Sequence, residues 1–332
     1  LKNAGVLLQT LYLGVTALGL GGCALGAGDS ERFSRLAGLD PYAESSVAEF
    51  AIASGADGVV FPGFASEVDE LDGAERLRLL SALAEAVVAE IRAAGGVAMA
   101  NGGSVTDPVA VQGMIDQAMS EWGRVDILVN NAGILRDKSF SKMELDDFRL
   151  LVDVHLMGAV YGTKAVWEIM KSQGYGRIVF TTSSSGLFGN FGQANYGAAK
   201  MALVGLMQTL ALEGEKYNVR VNCLAPTAAT RMTSDIMPPQ VLELLTPESV
   251  TPGLLYLASE DAPTRAILCA GAGVFAASHV TLTNGVLIGN GPDAPEQVAA
   301  RFAEIAQREG EIVPKAGLQQ SQQEMSKVMA GR

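Results

Sequence analysis

The chain has 332 residues, 48% of them hydrophobic, enough for a sizeable core in one large domain or two small ones. Its net charge of −12 and pI near 4.7 exclude a nucleic-acid binder, because phosphate contacts need Lys/Arg patches and no such cluster occurs. The three cysteines, Cys23, Cys223 and Cys269, follow no metal-ligand spacing, so no metal site is expected, and unpaired thiols fit a reducing cytoplasm.

The chain opens with Leu1 and Lys2, followed by an apolar stretch that reaches Leu20-Gly-Gly-Cys23. That outline mimics a lipoprotein signal, but the polar Asn3, Gln9 and Thr10 interrupt it. A membrane span is not expected, because glycines crowd the end of the run. The segments Gln9-Thr-Leu-Tyr-Leu13, Ala17-Leu-Gly-Leu-Gly-Gly-Cys-Ala-Leu-Gly-Ala-Gly-Asp29 and Val47-Ala-Glu-Phe50 resemble the C-terminal part of nitroreductase-like flavoproteins of the azoline-oxidising type, over residues 1–55. In that family the glycine turn lies near FMN, and the flavin pocket is completed across a dimer. A fragment this short lacks most of that pocket, so FMN is not expected to bind. With its opening Leu, the chain reads as a fragment, a processed product or a recombined reading frame.

Residues 56–83 form a junction that leads into a helix. Asp72-Gly-Ala-Glu75 has the form of a capping box, and Leu80, Leu83, Val87 and Ile91 keep helical spacing up to Gly95-Gly96. Residues 97–100 read as a strand, and Asp107-Pro108 as the cap and first turn of the next helix. Val125-Asp-Ile-Leu-Val129 is a short buried strand running into Asn130-Asn131-Ala132-Gly133. Arg177-Ile-Val-Phe-Thr-Thr-Ser183 is a second, apolar and β-branched, ending in hydroxyls. A helix follows over residues 194–214. Val219-Arg-Val-Asn-Cys-Leu224, closed by Ala225-Pro226, is a further strand, and Ile267-Leu-Cys-Ala270 the last. Alternating strands and helices imply an α/β fold with a doubly wound parallel sheet. Asp293-Ala-Pro-Glu296 caps a helix with Val298, Phe302 and Ile305 on one face, and the Gln-rich tail from Gln319 is exposed or docks on a partner subunit.

The chemistry concentrates in Tyr196-Gly-Ala-Ala-Lys200, which follows Ser183 by thirteen residues. Residues four apart share a helix face, so the phenol and the ammonium converge, and a neighbouring cation lowers a phenol's pKa. Such a side chain exchanges a proton with an alcohol near neutral pH. A tyrosine packed beside a snorkelling lysine gives the same pattern. Strand-end hydroxyls at Ser183 favour the chemical reading, since ligands of open α/β sheets sit at the carboxyl ends of the strands.

Asn-Asn-Ala-Gly, the serine, the Tyr-x-x-x-Lys and the proline-ended strand together resemble the short-chain dehydrogenase/reductase family, from about residue 84 onward. The texture of Asn130-Asn-Ala-Gly-Ile-Leu-Arg-Asp137, Asp153-Val-His-Leu156, Gly189-Asn-Phe-Gly-Gln193 and Pro226-Thr-Ala-Ala-Thr-Arg-Met232 resembles the (3R)-hydroxyacyl-CoA dehydrogenase unit of multifunctional enzymes. The resemblance implies a Rossmann-like domain over residues 84–290 and a C-terminal helix and tail over 291–332. It implies Tyr196 as general acid/base, Lys200 as the group that lowers its pKa and holds the cofactor ribose, and Ser183 as the residue orienting the substrate oxygen. It places Asn131, Ala132, Gly133, Pro226 and Thr227 along an NAD or NADP cofactor, NAD being favoured. His155 stands where the family usually has a catalytic asparagine; as one of two histidines it also reads as a satisfied core residue. The implied substrate is a small acyl thioester or another hydroxy/keto compound, and the implied assembly a homodimer or tetramer. The N-terminal strand and its Gly-x-x-x-Gly-x-Gly loop read as degenerate or missing. The nearest candidate, Phe50-Ala-Ile-Ala-Ser-Gly-Ala-Asp-Gly58, has no Gly-x-Gly, and Pro62 and Gly63 follow where a helix should begin. Without that loop, a catalytically inactive Rossmann-like binding or scaffold protein is the rival reading, and a flavoprotein a weaker one.

Overall fold

The computed structural model describes residues 5–9, 58–62, 85, 88–89, 91–93, 95–228 and 239–330. The chain divides into two compact units, Leu1–Ala277 and Ser278–Arg332.

The first unit is built on one sheet of eight strands: β1 (Gly5–Gln9), β2 (Gly58–Pro62), β3 (Ala98–Asn101), β4 (Ile127–Asn130), β5 (Gly176–Thr181), β6 (Val219–Thr227), β7 (Ile267–Gly271) and β8 (Val274–Ser278), in the order β3-β2-β1-β4-β5-β6-β7-β8. Every pairing from β3 across to β7 is parallel. The strand order reverses between β1 and β4, which puts the topological switch point there. Side chains alternate between the two faces, and the core follows that alternation. Ile127, Val129 and Val179 point into a cluster with Val88, Ile91, Val250 and Leu254. Leu128, Ile178 and Phe180 point into the opposite one with Met114, Ile115, Val166, Met170 and Met207. Burial on both faces explains why β4 and β5 are apolar along their whole length.

The helices that cover the sheet begin with α1 (Pro108–Trp122), whose N-cap Asp107 accepts from the Val109 and Ala110 amides. Next come α2 (Leu145–Leu151), a π-helical segment (Val152–Met157) and α3 (Gly158–Gln173), continuous with one another. The short α4 (Ser184–Phe188) and the long α5 (Ala194–Gly214) follow β5. A further helix, α6 (Thr251–Ala258), precedes β7.

Several expectations need correction. The first strand, read as degenerate or missing, is present: Gly5–Gln9 lies between β2 and β4, in register with both. It comes from the segment that resembles a nitroreductase, and a five-residue apolar run there has no periodicity that separates strand from helix. Residues 58–62, the end of the candidate glycine loop, form β2 and not the central strand. The strand starting at Val219 does not close at Ala225-Pro226; it runs through Pro226 to Thr227. Leu224 faces β5, its carbonyl accepting from the Thr182 amide, so Pro226 two residues on faces the same side. There β5 has ended, and the missing proline N–H removes no ladder bond. Nor is β7 the last strand. Ala272 and Gly273, both with positive φ, make a two-residue turn into β8, and so short a connection reverses the chain. The Ala17–Asp29 glycine run, Cys23, the capping box at Asp72 and the helix positions Leu80, Leu83 and Val87 lie outside the described residues.

In the second unit, Leu282 and Ile312 form an antiparallel bridge. The expected helix after Asp293 is broken into α7 (Ala294–Ala300) and a turn over Phe302–Ile305, with Val298 and Phe302 exposed, and the Asp293 side chain makes no cap bond to a backbone amide. The tail forms α8 (Leu318–Ala330), where the Gln323 amide donates to the Thr283 and Asn284 carbonyls. No helix among the described residues is long and apolar enough to cross a membrane, and none of their side chains cluster as a metal site.

Arg177 joins the far edge of β5 to the loops around it. Its buried guanidinium lies 4.1 Å from the Tyr175 ring and donates to the carbonyls of Gly176, Asn218, Ser259 and Glu260 at 2.8 to 3.0 Å. Arg177→Ala leaves these carbonyls without their donor, and urea unfolding should show a loss of about 3 kcal/mol or more.

Candidate active site

The carboxyl ends of β4, β5 and β6 lie side by side, because the register aligns Asn130 with Phe180 and Thr181 with Leu224. Polar residues collect at this edge. Asn130 donates to the Thr163 hydroxyl at 3.4 Å, while its Oδ1 and the Thr181 hydroxyl are buried with no partner. Two bonds fasten α5 to the end of β5: Thr182 Oγ1 donates to the Lys200 carbonyl and Lys200 Nζ to the Thr181 carbonyl, each at 2.7 Å. α4 packs closely on α5 at Gly186, where a Cβ would come within 2.8 Å of the Lys200 Cβ.

Ser183 is buried in extended conformation and caps α4, its hydroxyl accepting from the Ser185 amide at 3.1 Å. Its hydroxyl also acts on the Tyr196 phenol in the direction that favours the phenolate. Lys200 Nζ sits 5.5 Å from the Tyr196 ring centroid. Burial brings the Lys200 ammonium down to about 7, opposed by the neighbouring Cys223 thiol. The phenol's pKa is raised, not lowered as the sequence pattern implied: burial outweighs the influence of Ser183, and the Asp137 carboxylate adds to the rise. The physical reason is desolvation of the phenol itself; Lys200 Nζ is turned to the Thr181 carbonyl.

His155 lies in the π-helical segment, a distortion that frequently marks functional sites. Its ring meets Tyr196 edge-on, with centroids 5.1 Å apart. Nε2 lies 2.8 Å from the Ile134 carbonyl and 3.2 Å from the Ile134 amide, while Nδ1 is buried without a partner. Burial, followed by the Lys200 charge, pushes its pKa well below the ordinary histidine value, so the ring is neutral. Gly133 accommodates it: a Cβ there would lie 2.4 Å from His155 Cε1.

The structure thus gathers Ser183, Tyr196, Lys200, His155 and Gly133 at one point. Asn131 and Ala132 follow β4, and Pro226 and Thr227 end the neighbouring β6, all at the same edge. Sequence reasoning passed over Asn195 and Gln193. Asn195, fully buried, accepts from the Tyr196 amide at 2.8 Å and donates to the Arg136 carbonyl at 3.0 Å. The only sequence signal is a pair of amide residues ahead of the tyrosine.

The family model for short chain dehydrogenases matches residues 74–240, and that of the nitroreductase family matches residues 1–55. The chain belongs to the short chain dehydrogenase family. A short-chain type dehydrogenase/reductase of Mycobacterium tuberculosis is 48% identical over 69% of this chain and 80% of its own length. The peroxisomal hydratase-dehydrogenase-epimerase of Saccharomyces cerevisiae is 47% identical over 68% of this chain but 25% of its own, and the peroxisomal multifunctional enzyme type 2 of Mus musculus 44% identical over 68% and 31%. The chain therefore spans a quarter to a third of these multifunctional relatives. Among solved structures, full-length multifunctional enzyme type 2 from Drosophila melanogaster matches 99% of this chain and 49% of its own, at 30% identity and a TM-score of 0.69. A short chain dehydrogenase from Mycobacterium avium matches 92% and 96%, at 28% identity and 0.67. The chain is an oxidoreductase of this family, related to the dehydrogenase unit of those enzymes.

The depressed Lys200 value has a consequence for stability. Above about pH 7 the folded protein has released a proton that the unfolded chain keeps up to the ordinary lysine range. The unfolded state then binds more protons, so stability rises with pH. From about pH 7 to about 8.5, below thiol and phenol titration, the wild-type Tm should gain on that of Lys200→Met, as read by parallel thermal melts.

Proposed function

We propose that the chain catalyses hydride transfer between a nicotinamide cofactor and a secondary alcohol or ketone, with a 3-hydroxyacyl-CoA-like thioester as substrate. The observation that carries the reading is the convergence of Ser183, at the carboxyl end of β5, with Tyr196 and the buried Lys200, whose Nζ lies 5.5 Å from the Tyr196 ring centroid. A substrate oxygen bound between the two hydroxyls accepts from Ser183 and gives its proton to the Tyr196 phenolate. A bound nicotinamide supplies the hydride acceptor. Because the phenol's pKa is raised, the base form grows toward alkaline pH, so alcohol oxidation gains with pH and ketone reduction is favoured below it.

The residues at this edge fit such a cofactor. Lys200 uses one ammonium proton on Thr181 and keeps others for ribose hydroxyls. Thr181 and Asn130 carry unpartnered polar atoms, and the absent Cβ at Gly133 leaves the loop room to pass the His155 ring. Asn131, Ala132, Gly133, Pro226 and Thr227 are the residues that would line the ring and ribose. His155 would act from beneath, keeping Ile134 in place through Nε2. A 7α-hydroxysteroid dehydrogenase solved with NADH shares the fold over 67% of this chain at 27% identity and a TM-score of 0.56, which supports the cofactor class. The hydroxyacyl class rests on the multifunctional relatives. NAD is preferred to NADP in this reading, in a reducing, cytoplasmic setting and as a homodimer or tetramer.

A second reading, a catalytically silent Rossmann-like binder, is favoured because no Gly-x-x-x-Gly-x-Gly directly follows β1: residues 10–16 carry a single glycine, and the run of that form at Gly22–Gly28 begins thirteen residues beyond Gln9. Calorimetry with NAD and NADP separates the two, since a silent scaffold shows no binding at millimolar cofactor. The activity test is NADH formation with a (3R)-hydroxyacyl-CoA. Tyr196→Phe should reduce kcat by about 10²-fold or more, and unchanged turnover would remove Tyr196 from its role.

A further inference from the structure

Two stretches that sequence reading left unconnected meet above Tyr196. The first is Arg136-Asp137-Lys138, which begins three residues beyond the Asn-Asn-Ala-Gly turn; the second runs from Asn190 to Asn195, into the start of α5. Three contacts join them. The Lys138 amide donates to the Gly192 carbonyl at 2.9 Å, the Asn195 side chain to the Arg136 carbonyl at 3.0 Å, and Gln193 Nε2 to Asp137 Oδ2 at 2.6 Å. The last is short and charge-assisted. Gln193 is itself buried and oriented, because its Oε1 accepts from Ser185 Oγ at 2.7 Å and Asn190 Nδ2 at 3.1 Å. A carboxylate only accepts, so the amide must turn its NH2 toward Asp137. Ser185 also ties this network to Ser183, through the cap of α4.

We propose that Gln193 is a positioning residue whose amide holds the Asp137 carboxylate at the rim of the site, and that this pair governs proton transfer at Tyr196. Asp137 is exposed, and its bond to Gln193, three residues before Tyr196, keeps it at the start of the helix that carries the phenol. Held in place, the carboxylate opposes a second negative charge on the phenol beside it. The other groups around Tyr196 are Ser183 from the end of β5, the neutral His155 from the π-helical segment and Lys200 from its own helix. Arg136 and Lys138, flanking Asp137, are both directed to Asp147 of α2, at 4.0 and 3.5 Å. The inference rests on the reading of Tyr196 as the proton acceptor.

The test isolates the phenol of Tyr196 by ultraviolet tyrosinate titration, as the difference between each protein and its Tyr196→Phe counterpart. Asp137→Asn should lower the titration midpoint by about one unit, and the rising limb of the kcat/KM profile for alcohol oxidation should move with it. Gln193→Leu should shift both in the same direction, and should add nothing in the Asp137→Asn background. Should Gln193→Leu fail to fold, Gln193→Asn keeps the amide one carbon short of Asp137 and is expected to shift the midpoint likewise. A midpoint that does not move in Asp137→Asn overturns the proposal, as does a Gln193 effect that persists without Asp137. Shifts in the titration with no turnover on any hydroxyacyl thioester uphold the pair and count against the proposed function alone.

Discussion

The site depends on how α5 is fastened to the end of β5. Thr182 bonds the Lys200 carbonyl and Lys200 bonds the Thr181 carbonyl, so backbone and side chain of one helical residue are both tied to one strand end. From that anchor, helical spacing fixes Tyr196 one turn back, and the cap at Ser183 fixes the hydroxyl that meets it. The cost is a buried amine with no carboxylate partner. Its pKa falls to about 7, so the lysine acts near neutrality as a hydrogen-bond donor more than as a fixed charge. The phenol, buried in its turn, has a raised pKa.

The other side of the site comes from β4. The chain leaves Asn130, passes the imidazole at Gly133 with no room for a Cβ, and is caught at Ile134 by His155. That histidine stands in a π-helical stretch between two α-helical ones, and the extra residue in the turn carries its ring under Tyr196. Beyond Ile134 the segment is caught again by Gln193 and Asn195. Loop and helix therefore hold each other, while the sheet beneath, buried on both faces, sets their spacing.

Legibility in the sequence follows the range of the interaction. α5 was readable to its ends and β4, β5 and β7 to within a residue or two, because burial on both faces leaves long apolar runs between polar breaks. Pro226 misled for a physical reason: a proline ends a central strand unless its missing N–H faces an empty edge, and which edge is empty is a property of β5. Gly5–Gln9 was hidden because a short apolar run acquires its identity from the strands beside it. Gln193 and Asn195 were hidden because their partners lie more than fifty residues away.

The sequence by itself determined the reaction class: a serine, a tyrosine and a lysine at fixed spacing, on a strand end and a helix whose own periodicities bring them together. The tertiary structure decided their protonation. Whether Lys200 is charged, whether the Tyr196 pKa rises or falls, and which nitrogen of His155 is bound depend on desolvation and on groups from other elements. Burial is a sum over the whole packed surroundings, and no local pattern of residues encodes it.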